Sequence, residues 1–232
     1  MKYNIKSLIK NLEKLTKIRR SRYHPLVHKI CEEHKISRGT LFYIKEYGPH
    51  SNVPKTIIRE GFRVLLFASI ISSFGGLALE YIKQIFISII PLIILLPALN
   101  SMIGGYGTIV SSRFSTMLYK GRGESLTSEL RKLFAQVLII ALIMSIGSAL
   151  LALAISKAFG YSLSYLISLK IFFIALIDVI ILVFVLFFFS LGIGKYIYKK
   201  GEDPNNFLIP MTTSLADFGN MIVLSLLIIL FF

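Results

Sequence analysis

Three carboxylates fall inside otherwise apolar runs of this chain: Glu80, Asp178 and Asp217. An ionisable group in hydrocarbon costs at least about 2.5–3.5 kcal/mol on insertion scales, so each needs a partner, water or a cation. Asp217 has the most informative neighbours. Pro210, Thr213, Asp217 and Asn220 follow at spacings of three, four and three, which lays a polar stripe along one helix face. A hydroxyl, a carboxylate and an amide aligned in this way offer oxygen ligands, a set suited to a hard cation such as Mg2+ and not to a soft metal. Counted from Phe207, Asp217 lies about 15 Å into its span, near the middle of a bilayer. Mg2+ dehydrates reluctantly, so a midplane carboxylate ringed by amides and hydroxyls would hold the ion through its waters, weakly enough to release it. The competing reading for Asp217 is a salt bridge to Arg113. Asp178, set among Ile, Leu and Val, suits packing or hydration as well as transport. Glu80 is equally a vestibule ligand or an interfacial acid.

The second informative stretch, Pro97 to Thr116, reads PALNSMIGGYGTIVSSRFST and places glycines, hydroxyls and one arginine in an apolar segment. Irregular backbone at membrane depth is tolerated only against protein or a water-filled cavity. The Gly-Gly-Tyr-Gly run is therefore read as a break in the second span, lining a path for an ion or small solute. On this reading Asn100 and the hydroxyls face the pore, and Gly104 and Gly105 let helices approach closely.

These residues must be held by membrane helices. The chain is 55% hydrophobic and 16% charged, with a mean hydropathy of +0.72, values typical of integral membrane proteins. Apolar segments run from Phe62 to Ile82, from Ile85 into the glycine stretch, from Leu133 to Ala158, from Leu163 to Gly194 and from Phe207 to Phe232. Each supplies the roughly 20 residues that a ~30 Å hydrocarbon core requires. The expected fold is all-α: a polytopic membrane protein of five transmembrane helices with a broken second helix. Residues 1–60 form a basic cytoplasmic region of short helices and residues 61–232 a transmembrane cation-transport domain.

The net charge of +14 would suit nucleic acid, but its distribution points to a membrane. Residues 1–63 hold 15 of the 26 Lys and Arg and 5 of the 12 acids. The loops 118–132 and 195–206 are basic, whereas the two opposite connections carry only Lys83 and Lys157. This positive-inside pattern predicts a cytoplasmic N-terminus and an external C-terminus.

Ile5, Leu8, Ile9, Leu12, Leu15 and Ile18 alternate with lysines as a basic amphipathic helix, fit for an anionic leaflet or for a neighbouring helix. His24, His28, Cys31 and His34 share a side of the next helix. One straight helix cannot wrap four ligands around zinc, so they read as an ordinary soluble face. With a single cysteine, Cys31, no intrachain disulfide forms.

These residues resemble the MgtE-type, or solute carrier family forty-one, divalent cation transporters. The first motif is carried by Pro97, Asn100, Gly104 with Gly105, Ser112 with Arg113, and Ser115 with Thr116. The second is carried by Asp203, Pro204, Pro210, Ser214 and Asp217. The resemblance covers residues 60–232. It implies a homodimer in the plasma membrane with a cation pore at or near the interface, Mg2+ as the ion with Mn2+ or Co2+ as substitutes, and Asp217 as the pore carboxylate. The resulting metal-site set is Asp217, Asn100, Thr213, Asn220, Ser214, Gly104, Gly105 and Glu80. Many members carry Asn after the paired glycines where this chain has Tyr106, so Asn100 or Asn220 would supply that amide. The lead is too short for the large magnesium-sensing domains of bacterial relatives.

Two alternatives remain open on the sequence. An intramembrane aspartyl-type enzyme would use Asp178 and Asp217, although neither lies in a recognisable catalytic motif. A membrane anchor or assembly subunit would recruit a partner through the cytoplasmic lead.

Overall fold

A computed structural model describes residues 25–34, 36, 38, 41, 44–45, 53–120, 125–161, 163–200 and 203–232. The proposed amphipathic helix before residue 24, and His24 itself, lie outside these residues. Within them the chain forms seven helices: α1 (Pro25–His34), α2 (Val53–Tyr81), α3 (Lys83–Ser88), α4 (Ile90–Lys120), α5 (Ser125–Ala158), α6 (Tyr165–Lys200) and α7 (Pro204–Phe231). No strand is present among the described residues. Five of the helices, α2, α4, α5, α6 and α7, are long and apolar enough to cross a bilayer. This matches the five apolar segments, with shifted limits. The second span starts at Ile90 and not near Ile85, because α3 is a separate short helix that ends at Ser88, with Ile89 as its C-cap.

The ends of these helices follow from local chemistry. Asp203 caps α7 by accepting the Asn205 N–H at 3.0 Å, and Pro204 occupies the first turn, where a missing N–H costs nothing. The Asp-Pro pair of the second motif is therefore a helix start. α5 stops at Gly160, whose φ of 86° is a left-handed conformation natural to glycine. There the Tyr161 N–H reaches Ser156 O at 3.1 Å and the Gly160 N–H reaches Lys157 O at 3.0 Å, which satisfies the last carbonyls.

The expected break in the second span is not found. α4 runs as one α-helix from Ile90 to Lys120, through Gly104, Gly105, Tyr106 and Gly107. Glycine weakens a helix by only about 0.5–1 kcal/mol relative to alanine, less than the several kcal/mol of each backbone group left unsatisfied in lipid. Gly107 serves close packing instead. A Cβ on Gly107 would stand 3.0 Å from Thr212 Cβ and 3.4 Å from Leu186 Cδ1, so α4, α6 and α7 meet there.

α7 is the hub, packed against α2, α4 and α6, while α4, α5 and α6 also pack on one another. The shared core includes Leu99, Ile103, Ile174, Leu182, Ala216 and Leu224. Phe134 joins α5 to α6 through edge contacts with Phe184 and Phe187, at 4.9 and 4.8 Å between ring centroids. Of the apolar window in α6, 50% is buried, against 11% in α2. α2 is thus a peripheral helix, whose main neighbour is α7.

Candidate functional site

Asp217 sits thirteen residues into α7, about 20 Å from the helix start, and is half-buried. Its carboxylate accepts a hydrogen bond from Ser72 Oγ on α2, Oγ to Oδ2 3.0 Å. The two helices flank an open groove of about 570 Å3, whose polar lining includes Ser69, Ser72, Ser73, Thr213, Ser214 and Asp217, with Pro210 alongside. Ser214 Oγ donates across the helix pair to Ala68 O at 2.5 Å, and Thr213 Oγ1 donates back to Ile209 O at 3.0 Å. Of the expected set, the structure brings Asp217, Thr213 and Ser214 together at this groove.

The Asp217–Arg113 salt bridge does not form. Gly104 lies against Thr213, with 3.7 Å between its ideal Cβ and Thr213 Cγ2, one turn from Asp217. Arg113 is nine residues further along α4 from Gly104, about 13 Å, and is exposed. Helix rise therefore separates the two charges, and Asp217 keeps a hydroxyl as its partner.

Asn100 and Asn220 are joined to each other inside the bundle, Asn220 Nδ2 donating to Asn100 Oδ1. Asn220 is fully buried, and its Oδ1 has no partner. It turns away from the groove because a three-residue step from Asp217 falls about 60° short of a full turn. The polar stripe thus serves two interfaces, Asp217 toward α2 and Asn220 toward α4. Tyr106, at the position where an asparagine was expected, is buried in the core with its hydroxyl unpaired. Gly105 is exposed, with open space where a Cβ would be.

Glu80 is not brought to this site. It lies eight residues from Ser72 on α2, about 12 Å along the axis, and pairs with Lys83 at 2.9 Å. Both line a separate groove of about 520 Å3 with Tyr81, Gln84 and Ile229. Asp178 is fully buried on α6, and neither carboxyl oxygen has a hydrogen-bond partner. In α1, His28 pairs with Glu32 at 3.3 Å, and no group of three metal-ligating side chains occurs among the described residues.

Two features escaped the sequence reading. One is the serine face of α2; the signal was present in Ser69, Ser72 and Ser73, spaced three and one within an apolar span. The other is a buried hydroxyl chain in which Ser111 Oγ lies 3.3 Å from both Ser190 Oγ and Thr212 Oγ1, tying α4 to α6 and α7.

Five apolar helices with α7 as their hub, and a carboxylate part-way along that helix in a hydroxyl-lined groove, make this a multi-pass helical membrane protein. Residues 96–227 match the MgtE family, described as a divalent cation transporter, and the chain belongs to that family. It is 26% identical over 191 residues to solute carrier family 41 member 2 of Macaca fascicularis, covering 74% of this chain and 32% of that protein. The Gallus gallus protein of the same name is 27% identical over 185 residues, covering 70% of this chain and 30% of the relative. The chain thus spans about a third of the length of the curated relatives it matches. No solved structure matches it.

Proposed function

We propose that two copies of this chain form a homodimer that passes Mg2+, or a similar divalent cation, across the plasma membrane, with the N-terminus cytoplasmic and Asp217 as the pore carboxylate. The observation that carries this reading is the setting of Asp217. Its carboxylate lies about 20 Å along a membrane-spanning helix, held by a neutral hydroxyl and open to a groove. A carboxylate placed there needs a cation, and none of the protein's own reaches it among the described residues.

Size and charge agree with a hydrated divalent ion. Six waters occupy about 180 Å3 at roughly 30 Å3 each, which the 570 Å3 groove accommodates. One carboxylate from each protomer would supply two negative charges to match the ion. Pairing would also cover part of the α2 surface that the protomer leaves exposed. In this reading Thr213 and Ser214 stand beside the ion, and Gly104 lets α4 approach Thr213. The Asn100–Asn220 pair fixes α4 against α7. Glu80 and Lys83 line a mouth on the far side of α2 from the cytoplasm.

Asp217→Asn keeps the shape and removes the charge, and should abolish Mg2+ flux into reconstituted vesicles carrying a Mg2+-sensitive dye, with the dimer intact by size-exclusion chromatography. Flux at the unsubstituted level would overturn the pore assignment.

A further inference from the structure

We propose that the serine face of α2, Ser69, Ser72 and Ser73, is the second wall of the ion site, with Ser72 positioning the Asp217 carboxylate and the hydroxyl oxygens accepting hydrogen bonds from the ion's water shell. The inference rests on Asp217 binding the ion and adds a helix outside the family-matched segment, residues 96–227.

The argument turns on where the hydroxyl protons go. A serine or threonine hydroxyl has one proton to donate and two lone pairs to accept with. Ser73 Oγ donates to Ser69 O at 2.8 Å, Thr213 Oγ1 to Ile209 O at 3.0 Å, and Ser214 Oγ to Ala68 O at 2.5 Å. Ser72 gives its proton to Asp217. With these four protons committed within the protein, what Ser72, Ser73, Thr213 and Ser214 offer the groove is acceptor oxygen. Water bound to a cation is the complementary surface, because its oxygens face the metal and its hydrogens face outward. An anion, whose outer surface also accepts, finds no donor among these four hydroxyls.

Ser72 has a second task. Its hydrogen bond occupies Oδ2 and fixes the carboxyl plane, which leaves Oδ1 to meet the ion's waters. Without it the carboxylate turns freely about its side-chain torsions, and each binding event must order it again. Ser73 stands on the same face within about one turn of Ser72 and extends the acceptor surface along the groove, and Ser69, whose hydroxyl is free to rotate, can turn a lone pair to the same waters.

The test uses the full chain in vesicles, with Mg2+ as the transported ion and cobalt(III) hexaammine as a probe whose donor shell does not exchange. Ser72→Ala should raise half-saturating Mg2+ roughly 3- to 10-fold with little change in maximal rate, and Ser72→Thr should restore it. The Ser69→Ala, Ser72→Ala, Ser73→Ala combination should weaken hexaammine inhibition by more than about 10-fold. Alanine is well tolerated in a helix, and Tm confirms folding of each variant. An unchanged half-saturation in Ser72→Ala, or equal inhibition of the triple variant and the unsubstituted chain, overturns the proposal. Asp217→Asn separates the two readings. Loss of flux there with silent serine variants removes only the α2 wall, whereas unaltered flux removes the site itself.

Discussion

The glycine pair of α2 offers a controlled perturbation of how that helix seats on α7. An ideal Cβ on Gly75 would stand 2.8 Å from Met221 Sδ and 3.1 Å from Phe218 Cα. The thioether can swing aside, but the Phe218 backbone cannot. Carbon atoms pack comfortably at about 3.5–4.0 Å, so in Gly75→Ala the helix must retreat by about 0.5 Å. Ser72 is one turn away, and its 3.0 Å bond to Asp217 would lengthen toward about 3.5 Å, outside the normal range. Overpacking of this kind costs about 1–3 kcal/mol, partly offset by about 0.5–1 kcal/mol gained on replacing a helical glycine. Gly76 supplies the control, since a Cβ there meets nothing within 4 Å. Gly76→Ala receives the gain without the clash, so the difference between the variants isolates the strain. At about 2–4 °C per kcal/mol for a chain of this size, Gly75→Ala should melt roughly 2–12 °C below Gly76→Ala. It should also need more Mg2+ for half-maximal uptake, whereas Gly76→Ala should not. Equal melting temperatures for the pair would refute the close approach of α2 to α7 and the reasoning built on it.

Two further outcomes follow from other parts of the fold. Thr212→Val removes the hydroxyl that donates to Leu208 O at 2.7 Å and lies beside Ser111, in a fully buried setting; it should destabilise the bundle by about 1–2 kcal/mol, read as a lower Tm in detergent, while Thr212→Ser should recover most of it. Burial pushes the Cys31 thiol up from its ordinary value, with Arg38 opposing by a smaller amount, so less thiolate is present at neutral pH. Alkylation of Cys31 should therefore lag that of a free cysteine peptide at pH 7, and the gap should close when the chain is unfolded in urea. By the same sign, the stability tied to the protonated thiol is present below the free-thiol pKa and fades as pH rises through the higher folded value.

The five spans were legible because lipid imposes one rule on every segment, a long apolar run whose backbone satisfies itself, and that rule acts residue by residue. The family was legible for a related reason, since its motifs combine helix starts, prolines and small residues whose roles are largely local. Asp203 and Pro204 begin α7 as their types require. The local rule misled at Gly104 to Gly107, where glycine was read as a break. In α4 these residues keep helical hydrogen bonding, and at Gly107 the missing side chain lets α6 and α7 come close.

Partner choice was not legible, because it depends on how helices rotate and slide against one another. The period of α7 placed Asp217 and Asn220 on one stripe, and packing then divided them, Asp217 to Ser72 of α2 and Asn220 to Asn100 of α4. Arg113, the cation of the competing reading for Asp217, is kept from it by the register of α4 on α7. Ser72 of α2 lies 145 residues from the carboxylate it donates to. The sequence by itself determined which segments are long and apolar enough to cross a membrane and where along its helix the Asp217 charge falls. Only the tertiary structure decided what faces that charge, because the contact joins segments distant in sequence, and its geometry is set by the packing of helices whose apolar patterns fit more than one register.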